Sequence, residues 1–219
     1  RGADTIETRA QEAWVAAGRP ARLLGRQGST RDRAVGALVG LAVGDAIGTT
    51  IEFSPKPDAP VLADMVGGGP FRLTAGQFTD DTSMSLALGE SLLSHPDLDP
   101  ADMMRRFVEW RETGRYSCTG RCFDIGITTS QALTRFLRTG DPVAGSTAPN
   151  TAGNGSIMRL APVPIRHWTD LERMERVARD QSLTTHGAPE AVEACATLAG
   201  IIAAAIAGRT LPDILQEFG

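Results

Sequence analysis

Apolar residues recur at helical spacing along most of this 219-residue chain, whereas no segment alternates polar and apolar residues with the period of two that strands show. After a first helix that starts near Ser29, helical patterns follow at about residues 81–94, 101–112, 127–138, 170–184 and 188–208. The hydrophobic share of 42% is enough for one substantial core. The sequence therefore predicts an all-α fold, a compact multi-helix bundle whose functional residues lie in the connecting loops.

The first helix carries a stripe of glycines. Ser29 followed three residues later by Asp32 is typical of a helix start. Glycine then recurs at every fourth position, at Gly36, Gly40, Gly44 and Gly48. Each glycine costs up to about 1 kcal/mol of helix propensity, so the stripe predicts close approach of a neighbouring backbone and a central position for this helix. Asp45 and Glu52 lie at its C-terminal end.

Charge and cysteine content argue against several kinds of protein. A net charge of −4 and a pI near 5.4 do not favour a nucleic-acid surface, which needs clustered cations. The uncharged run from Ala194 to Gly208 is too short to span a bilayer, and no signal peptide is evident. The odd number of cysteines, at Cys118, Cys122 and Cys195, predicts free thiols in a reducing compartment. We expect a cytoplasmic protein with no membrane segment.

Residues 1–30 look separate from the rest of the chain. Four residues could line one side of a short helix, which Gly18-Arg19-Pro20 would end: Ile6, Ala10, Trp14 and Ala17. We predict an N-terminal extension at residues 1–30 and one domain at residues 31–219.

Two adjacent carboxylates stand at the start of the second helical pattern, in Thr79-Asp80-Asp81-Thr82. The glycine-rich segment Gly67-Gly68-Gly69-Pro70 precedes them. At the non-helical entry to a helix both carboxylates can turn toward one point, and Mg²⁺ and Ca²⁺ prefer carboxylate and hydroxyl oxygens. The stretch is therefore a candidate for a divalent-metal site. The alternative is an ordinary helix cap, because Thr and Asp are favoured there.

Two further polar segments are candidates for ligand binding. Glycines in Gly153-Asn154-Gly155-Ser156 would let backbone N–H groups approach an anion, although a simple turn has the same composition. Polar side chains also meet at a helix junction in Ser182-Leu183-Thr184-Thr185-His186. His186 by itself is more often a capping or surface histidine than a catalytic one.

The order of these segments resembles the ADP-ribosylglycohydrolase family, also called ADP-ribosyl-acceptor hydrolases or the dinitrogenase-reductase-activating type. The resemblance runs from about Arg31 to the C-terminus. Its components are the glycine-striped helix with Glu52-Phe53, Phe78-Thr79-Asp80-Asp81-Thr82, Trp110, Gly114, Gly120, Phe123-Asp124-Ile125-Gly126, Gly153-Asn154-Gly155-Ser156-Ile157-Met158-Arg159, and Ser182 through His186.

This resemblance implies an all-α fold with two Mg²⁺ ions in a loop-borne binuclear site, where ADP-ribose binds and its bond to a modified side chain is hydrolysed. It implies metal ligands at Thr79, Asp80 and Asp81, and a catalytic role for Asp80, Asp81 or Glu52 as the base. It further implies that the turn Gly153, Asn154, Gly155 and Ser156 holds the diphosphate and ribose, and that Ser182 and His186 line the cleft.

One departure from the family concerns the second half of the metal site. Family members usually run to roughly 300 residues and carry a further acidic motif of Asp-x-Asp-Thr type, which nothing after Thr184 matches. Asp213 is instead typical of the start of another helix, with Pro212 in its first turn. We expect that this chain lacks the C-terminal part of the domain and holds about half of the metal ligands.

The function predicted from the resemblance is Mg²⁺-dependent removal of mono-ADP-ribose from a protein substrate, with arginine the modal acceptor. The alternative is an ADP-ribose-binding or immunity protein that neutralises an ADP-ribosyltransferase toxin by occlusion, with or without hydrolase activity. The extension at residues 1–30 motivates this alternative and would contact the toxin.

Overall fold

The computed structural model describes residues 28–55, 62 and 64–218. In these ranges the chain forms α-helices and short 3₁₀ turns, without a β-strand. The helices are α1 Thr30–Gly48, α2 Asp80–Ser94, α3 Pro100–Thr113, α4 Ile127–Thr139, α5 Pro162–His167, α6 Leu171–Leu183, α7 Pro189–Ala207 and α8 Leu211–Phe218. The all-α prediction is confirmed.

Several helix ends follow from the capping residues that the sequence shows. Ser29 and Asp32 form a reciprocal capping box at the start of α1, where the Ser29 amide donates to Asp32 at 2.8 Å. The helix predicted around Asp213 is α8, and Thr210 Oγ1 donates to the Asp213 carboxylate at 2.6 Å. The short helix α5 was not predicted, because six residues are too few to show a periodic pattern.

The core lies where α2, α3 and α4 meet α6 and α7. Its largest fully buried apolar side chains include Trp110, Phe107, Met84, Leu88, Leu133 and Met174. α6 and α7 pack against each other more extensively than any other pair of described helices. The three cysteines are free thiols, as expected.

The glycine stripe of α1 does not have the environment that the sequence suggested. Apart from the chain neighbours and the backbone of α1 itself, no atom of the described residues lies within 4 Å of the Cβ position built on Gly36, Gly40, Gly44 or Gly48. Val35 and Val39 beside the stripe are 54% and 52% exposed. The prediction of close backbone approach and a central position is therefore wrong for the described part of the chain. α1 contacts α7, α2 and α5 through its other side, and only Asp45 and Ala46 of this helix are buried.

Within the residues that the structure describes, two segments are long and apolar enough to cross a membrane when judged by length and composition alone. One is Thr30–Ile51, which consists of α1 and the turn after it, and the other is α7. Core helices of globular proteins meet the same criterion, and α7 contributes Cys195, Ala199 and Ala203 to the core. The expectation of no membrane segment stays a prediction.

Candidate functional site

The carboxylate of Asp45, at the end of α1, holds the start of α2 in place. It accepts hydrogen bonds from the Thr79 amide at 2.9 Å and from Thr79 Oγ1 at 2.8 Å. It also accepts from the Thr82 amide at 3.0 Å and from Thr82 Oγ1 at 2.6 Å. These amides belong to the unpaired N–H groups at a helix start, so Asp45 caps α2 from another helix. The sequence did not suggest this role.

Asp80 and Asp81 follow this cap as the first two residues of α2. Burial, followed by the charges of Asp124 and Asp81, raises the pKa of Asp80 to about 9. Burial and the charges of Asp45 and Glu52 raise the pKa of Asp81 to about 6. Since both shifts come from desolvation and from neighbouring carboxylates, a cation at this point would relieve them.

Glu52 and Asp124 form a hydrogen-bonded carboxyl pair beside the two aspartates. Burial and the charge of Glu52 raise the pKa of Asp124 to about 7, and burial raises the pKa of Glu52. Asp124 has a left-handed backbone with φ of 60°, which is uncommon for a residue other than glycine and often marks a functional site. Asp124 was absent from the predicted site residues, although it belongs to the family-like segment Phe123-Asp124-Ile125-Gly126.

Three aromatic rings contact one another, and two of them belong to residues that are chain neighbours of this carboxyl pair; we call Phe53, Phe71 and Phe123 the aromatic ledge. The ring centroids of Phe53 and Phe71 are 6.3 Å apart, and those of Phe71 and Phe123 are 5.3 Å apart. Phe53 follows Glu52 and Phe123 precedes Asp124 in the chain. Phe53 is 77% exposed and has φ of 60°, so burial does not explain its strained backbone.

The oxygen atoms at the start of α2 are of the kind that binds a hard divalent cation. Among the residues that the structure describes, no three His, Cys, Asp or Glu side chains converge closely enough to enclose an ion. Mg²⁺ retains several waters and is often held by only one or two carboxylates. Thr79, Asp80 and Asp81 present hydroxyl and carboxylate oxygens, which this ion prefers. The binuclear site stays a prediction.

The second predicted region brings the glycine turn against the end of α6. The hydroxyls of Ser156 and Ser182 are 2.8 Å apart and both residues are fully buried. A Cβ on Gly155 would lie 2.6 Å from Cε1 and 3.0 Å from Nε2 of His186, so only glycine fits there. Gly153 and Asn154 are exposed. The two polar segments are thus one structural unit.

Arg159 is the residue that joins these segments, and the sequence did not indicate its role. Its guanidinium is completely buried and lies 4.6 Å from the Phe107 ring centroid. It donates to the Gly155 carbonyl at 3.2 Å, to Gln181 Oε1 at 2.9 Å and to Thr185 Oγ1 at 2.9 Å. Burial lowers the pKa of Arg159 to about 9, whereas the charge of nearby Asp80 raises it.

The acidic cluster and the glycine turn therefore border each other. The charge of Asp80 has a minor effect on the pKa of Arg159, and Arg159 donates to the Gly155 carbonyl at 3.2 Å. Thr129, near the start of α4, would be 3.1 Å from a Cβ on Gly155. α4 begins just after Asp124, so one short helix start connects the two regions. The structure brings the predicted residues of the acidic cluster near the predicted residues of the glycine turn.

Comparisons with known proteins identify the family of this chain. The family model described as ADP-ribosylglycohydrolase matches residues 26–219. The chain is 50% identical over 171 residues to ADP-ribosylarginine hydrolase Tri1 of Serratia proteamaculans, covering 78% of this chain and 46% of that protein. It is 37% identical over 196 residues to ADP-ribosyl-[dinitrogen reductase] glycohydrolase of Rhodospirillum rubrum, covering 86% of this chain and 63% of that protein.

A solved structure extends the comparison to the fold. It is titled ADP-ribosylglycohydrolase-related protein complex and superposes with a TM-score of 0.71 at 41% identity, covering 85% of this chain and 60% of that chain. The chain thus spans about half to two thirds of the length of these relatives. Both the sequence match and the shared fold show that this chain belongs to the ADP-ribosylglycohydrolase family.

Proposed function

We propose that this chain supplies the ADP-ribose-binding turn and part of the metal site of a Mg²⁺-dependent hydrolase that removes ADP-ribose from modified protein side chains, arginine above all. The observation that carries the proposal is the proximity of the carboxylate cluster to the turn at Gly153–Ser156: Thr129 of α4, a helix that starts just after Asp124, lies against Gly155, and Arg159 donates to the Gly155 carbonyl. Relatives named ADP-ribosylarginine hydrolase support the substrate class.

Thr79, Asp80 and Asp81 would hold Mg²⁺ in this proposal, with two ions expected and the second ligand set absent from this sequence. When bound, the ions would supply Lewis-acid stabilisation of charge on the ribose oxygens. Asp45 keeps Thr79 oriented, because it accepts both the amide and the hydroxyl proton of that residue. The Thr79 oxygen retains a lone pair for a ligand.

The Glu52 and Asp124 pair is suited to moving a proton. A carboxyl group with a pKa of about 7, as at Asp124, exists in both protonation states near neutral pH. Asp124 donates to Glu52 in the protonated state, and this pair could accept a proton from water that attacks the anomeric carbon. Asp80 and Asp81 are the other candidate bases that the sequence suggested.

The glycine turn offers donors for an anion. The structure records no protein acceptor for the backbone N–H groups of Asn154, Gly155 and Ser156 within the described residues. Three successive free N–H groups in a turn favour a phosphate oxygen. The exposed Gly153 and Asn154 would meet the diphosphate directly, whereas the buried Ser156 and Ser182 stabilise the turn from beneath.

The aromatic ledge supports arginine as the acceptor. A guanidinium group is a planar cation that stacks on aromatic faces and pairs with carboxylates. The exposed Phe53 ring would offer the first interaction, and the carboxyl pair of Asp124 and Glu52, its neighbour in the chain, would offer the second. Arg121 lines a cavity of about 220 Å³ together with Phe71 and Phe123. A substrate guanidinium stacked on these two rings would be repelled by the positive charge of Arg121. We therefore place the ADP-ribosylated arginine side chain of the substrate at the Phe53 end of the aromatic ledge.

The test is release of ADP-ribose from an arginine-ADP-ribosylated protein, measured with Mg²⁺ and with a chelator. Chelator-sensitive release supports the hydrolase. Phe53→Ala is expected to raise KM about tenfold for the arginine-linked substrate, because a stacked cation is worth about 1–2 kcal/mol. Phe53→Tyr keeps the aromatic face and serves as the matched control.

Other outcomes would point to the alternative function. Binding of ADP-ribose without any release would favour an ADP-ribose-binding or toxin-occluding protein. Deletion of residues 1–30, of which 1–27 lie outside the described residues, then separates the two roles. Loss of toxin binding with unchanged ADP-ribose binding would assign the extension to the toxin.

A further inference from the structure

His186 lies at the end of a chain of buried hydrogen bonds that starts at Arg159. Arg159 Nη2 donates to Thr185 Oγ1 at 2.9 Å, and Thr185 Oγ1 is 2.9 Å from Nδ1 of His186. Arg159 and Thr185 are fully buried and His186 is 2% exposed. These contacts determine which nitrogen of the imidazole carries the proton.

The hydroxyl of Thr185 fixes the direction of this chain. Its oxygen accepts a hydrogen bond from Arg159, whose guanidinium group can donate hydrogen bonds but cannot accept them. Within the described residues, the acceptor within reach of the Thr185 O–H is His186 Nδ1. A buried hydroxyl proton without an acceptor is costly, so Thr185 donates to Nδ1. Nδ1 then carries no proton, and a neutral imidazole must carry it on Nε2.

The Nε2 edge of the ring faces the glycine turn. A Cβ built on Gly155 would lie 3.0 Å from Nε2, and one built on Gly153 would lie 3.6 Å from it. No protein acceptor for Nε2 is recorded in the part of the chain that the structure describes. Burial and the charge of Arg159 lower the pKa of His186 to about 4, so the ring is neutral at pH 7. The turn therefore has one N–H donor from a side chain beside its free backbone N–H groups.

We propose that Arg159 and Thr185 are positioning residues that hold His186 in the Nε2–H tautomer, so that Nε2–H donates to a phosphate oxygen of ADP-ribose at the Gly153–Gly155 turn. The ligand part of this inference rests on the proposed function. The tautomer part rests on the hydrogen-bond chain alone. A neutral donor discriminates by position, because it attracts an acceptor only along its N–H direction.

The first measurement is the tautomer of His186 in the ¹⁵N-labelled full chain, from long-range ¹H–¹⁵N correlation spectra at about pH 7. We expect Nε2 to be protonated in the wild type and in Thr185→Ser, which keeps the hydroxyl. Thr185→Val removes the hydroxyl at nearly the same volume and is expected to shift the population toward Nδ1–H. Thr184→Val is the matched control, because the buried Thr184 hydroxyl donates to the Gln181 carbonyl and accepts from Arg159 Nη2 at 3.4 Å, but does not contact His186.

The second measurement is ADP-ribose affinity by titration calorimetry. Thr185→Val is expected to weaken binding about tenfold, the loss typical of one hydrogen bond to a charged acceptor, whereas Thr185→Ser restores it. Should Thr185→Val fail to fold, the wild-type tautomer together with Thr185→Ser decides the question. Protonation on Nδ1 in the wild type, or equal ADP-ribose affinity in all variants, would overturn the inference.

These outcomes can be told apart from failure of the proposed function. A chain that binds ADP-ribose with the expected tautomer but never releases it from arginine would contradict only the hydrolase. A wild-type chain that does not bind ADP-ribose would overturn both the donor role of His186 and the proposed function.

Discussion

Among single residues, Asp45 shows best why the role of a site residue can be missed when only the sequence is known. Its four hydrogen-bonding partners belong to Thr79 and Thr82, which are 34 and 37 positions further along the chain. No local pattern links residues so far apart, whereas the capping box of Ser29 and Asp32 lies within one turn and was predicted. Asp124 and Arg159 were missed for the same reason, because their importance depends on Glu52 and on the segment around Gln181.

Removal of the Asp45 carboxylate is expected to destabilise the chain strongly. Asp45→Ala would leave the buried amides of Thr79 and Thr82 unpaired at the start of α2, a loss of about 3 kcal/mol. Asp99→Ala removes an ordinary cap that accepts from one amide, that of Ala101, and should cost about 1 kcal/mol. Urea unfolding of both variants measures the difference. Equal losses would show that Asp45 is an ordinary cap.

At the scale of the helices, the sequence predicted well which segments are helical, but it predicted poorly what surrounds each helix. Helical periodicity and caps are local, so α2, α3, α4, α6 and α7 were all foreseen within a few residues. The surroundings of α1 depend on which other elements reach it, and spacing of glycines does not contain that information. In the described residues this face is open, with Val39 half exposed beside Gly40.

The open face of α1 predicts that a substitution there stabilises the chain, whereas most substitutions destabilise a protein. Gly40→Ala is expected to stabilise the chain by about 0.5–1 kcal/mol, because alanine has the higher helix propensity and nothing lies within 4 Å of its Cβ. Gly69→Ala is the contrasting variant, since φ is 66° there and the Cβ would lie 2.4 Å from the Thr49 carbonyl oxygen. That substitution should cost about 1–3 kcal/mol. A loss of stability in Gly40→Ala, measured by urea unfolding, would mean that another element packs on the stripe.

For the whole molecule, the fold concentrates buried and half-buried carboxyl groups at one place. Asp45, Glu52, Asp80, Asp81 and Asp124 come from separate parts of the chain and interact electrostatically. The sequence indicated the two adjacent aspartates, since they stand together in one motif, but not the full cluster. Its assembly requires the end of α1, the start of α2 and the entry to α4 to meet. The cluster therefore links the stability of the molecule to pH and to divalent cations.

Without a divalent cation, stability is expected to fall as the pH rises from about 6.5 to about 9. The folded-state pKa values of Asp80 and Asp124, about 9 and about 7, lie above the value near 3.9 of an unfolded Asp, so the native state binds more protons in this window. Release of those protons at higher pH costs native stability. His186 opposes this trend only at the lower edge of the window, because its pKa falls from 6.5 in the unfolded chain to about 4 in the folded one and the unfolded chain has lost this proton above about pH 7.5.

Thermal unfolding across this pH range, with and without Mg²⁺, provides the measurement. We expect the Tm without cation to drop by several degrees toward pH 9, since about 1 kcal/mol corresponds to about 2–4 °C for a chain of this size. Mg²⁺ should raise the Tm more at pH 9 than at pH 6.5, because it stabilises the ionised carboxylates. Asp80→Asn should flatten the profile, whereas Asp141→Asn on the exposed surface should leave it unchanged. A Tm that rises with pH in the absence of cation would contradict the buried, repelling cluster, and an Asp80→Asn profile as steep as the wild type would place its origin elsewhere in the molecule.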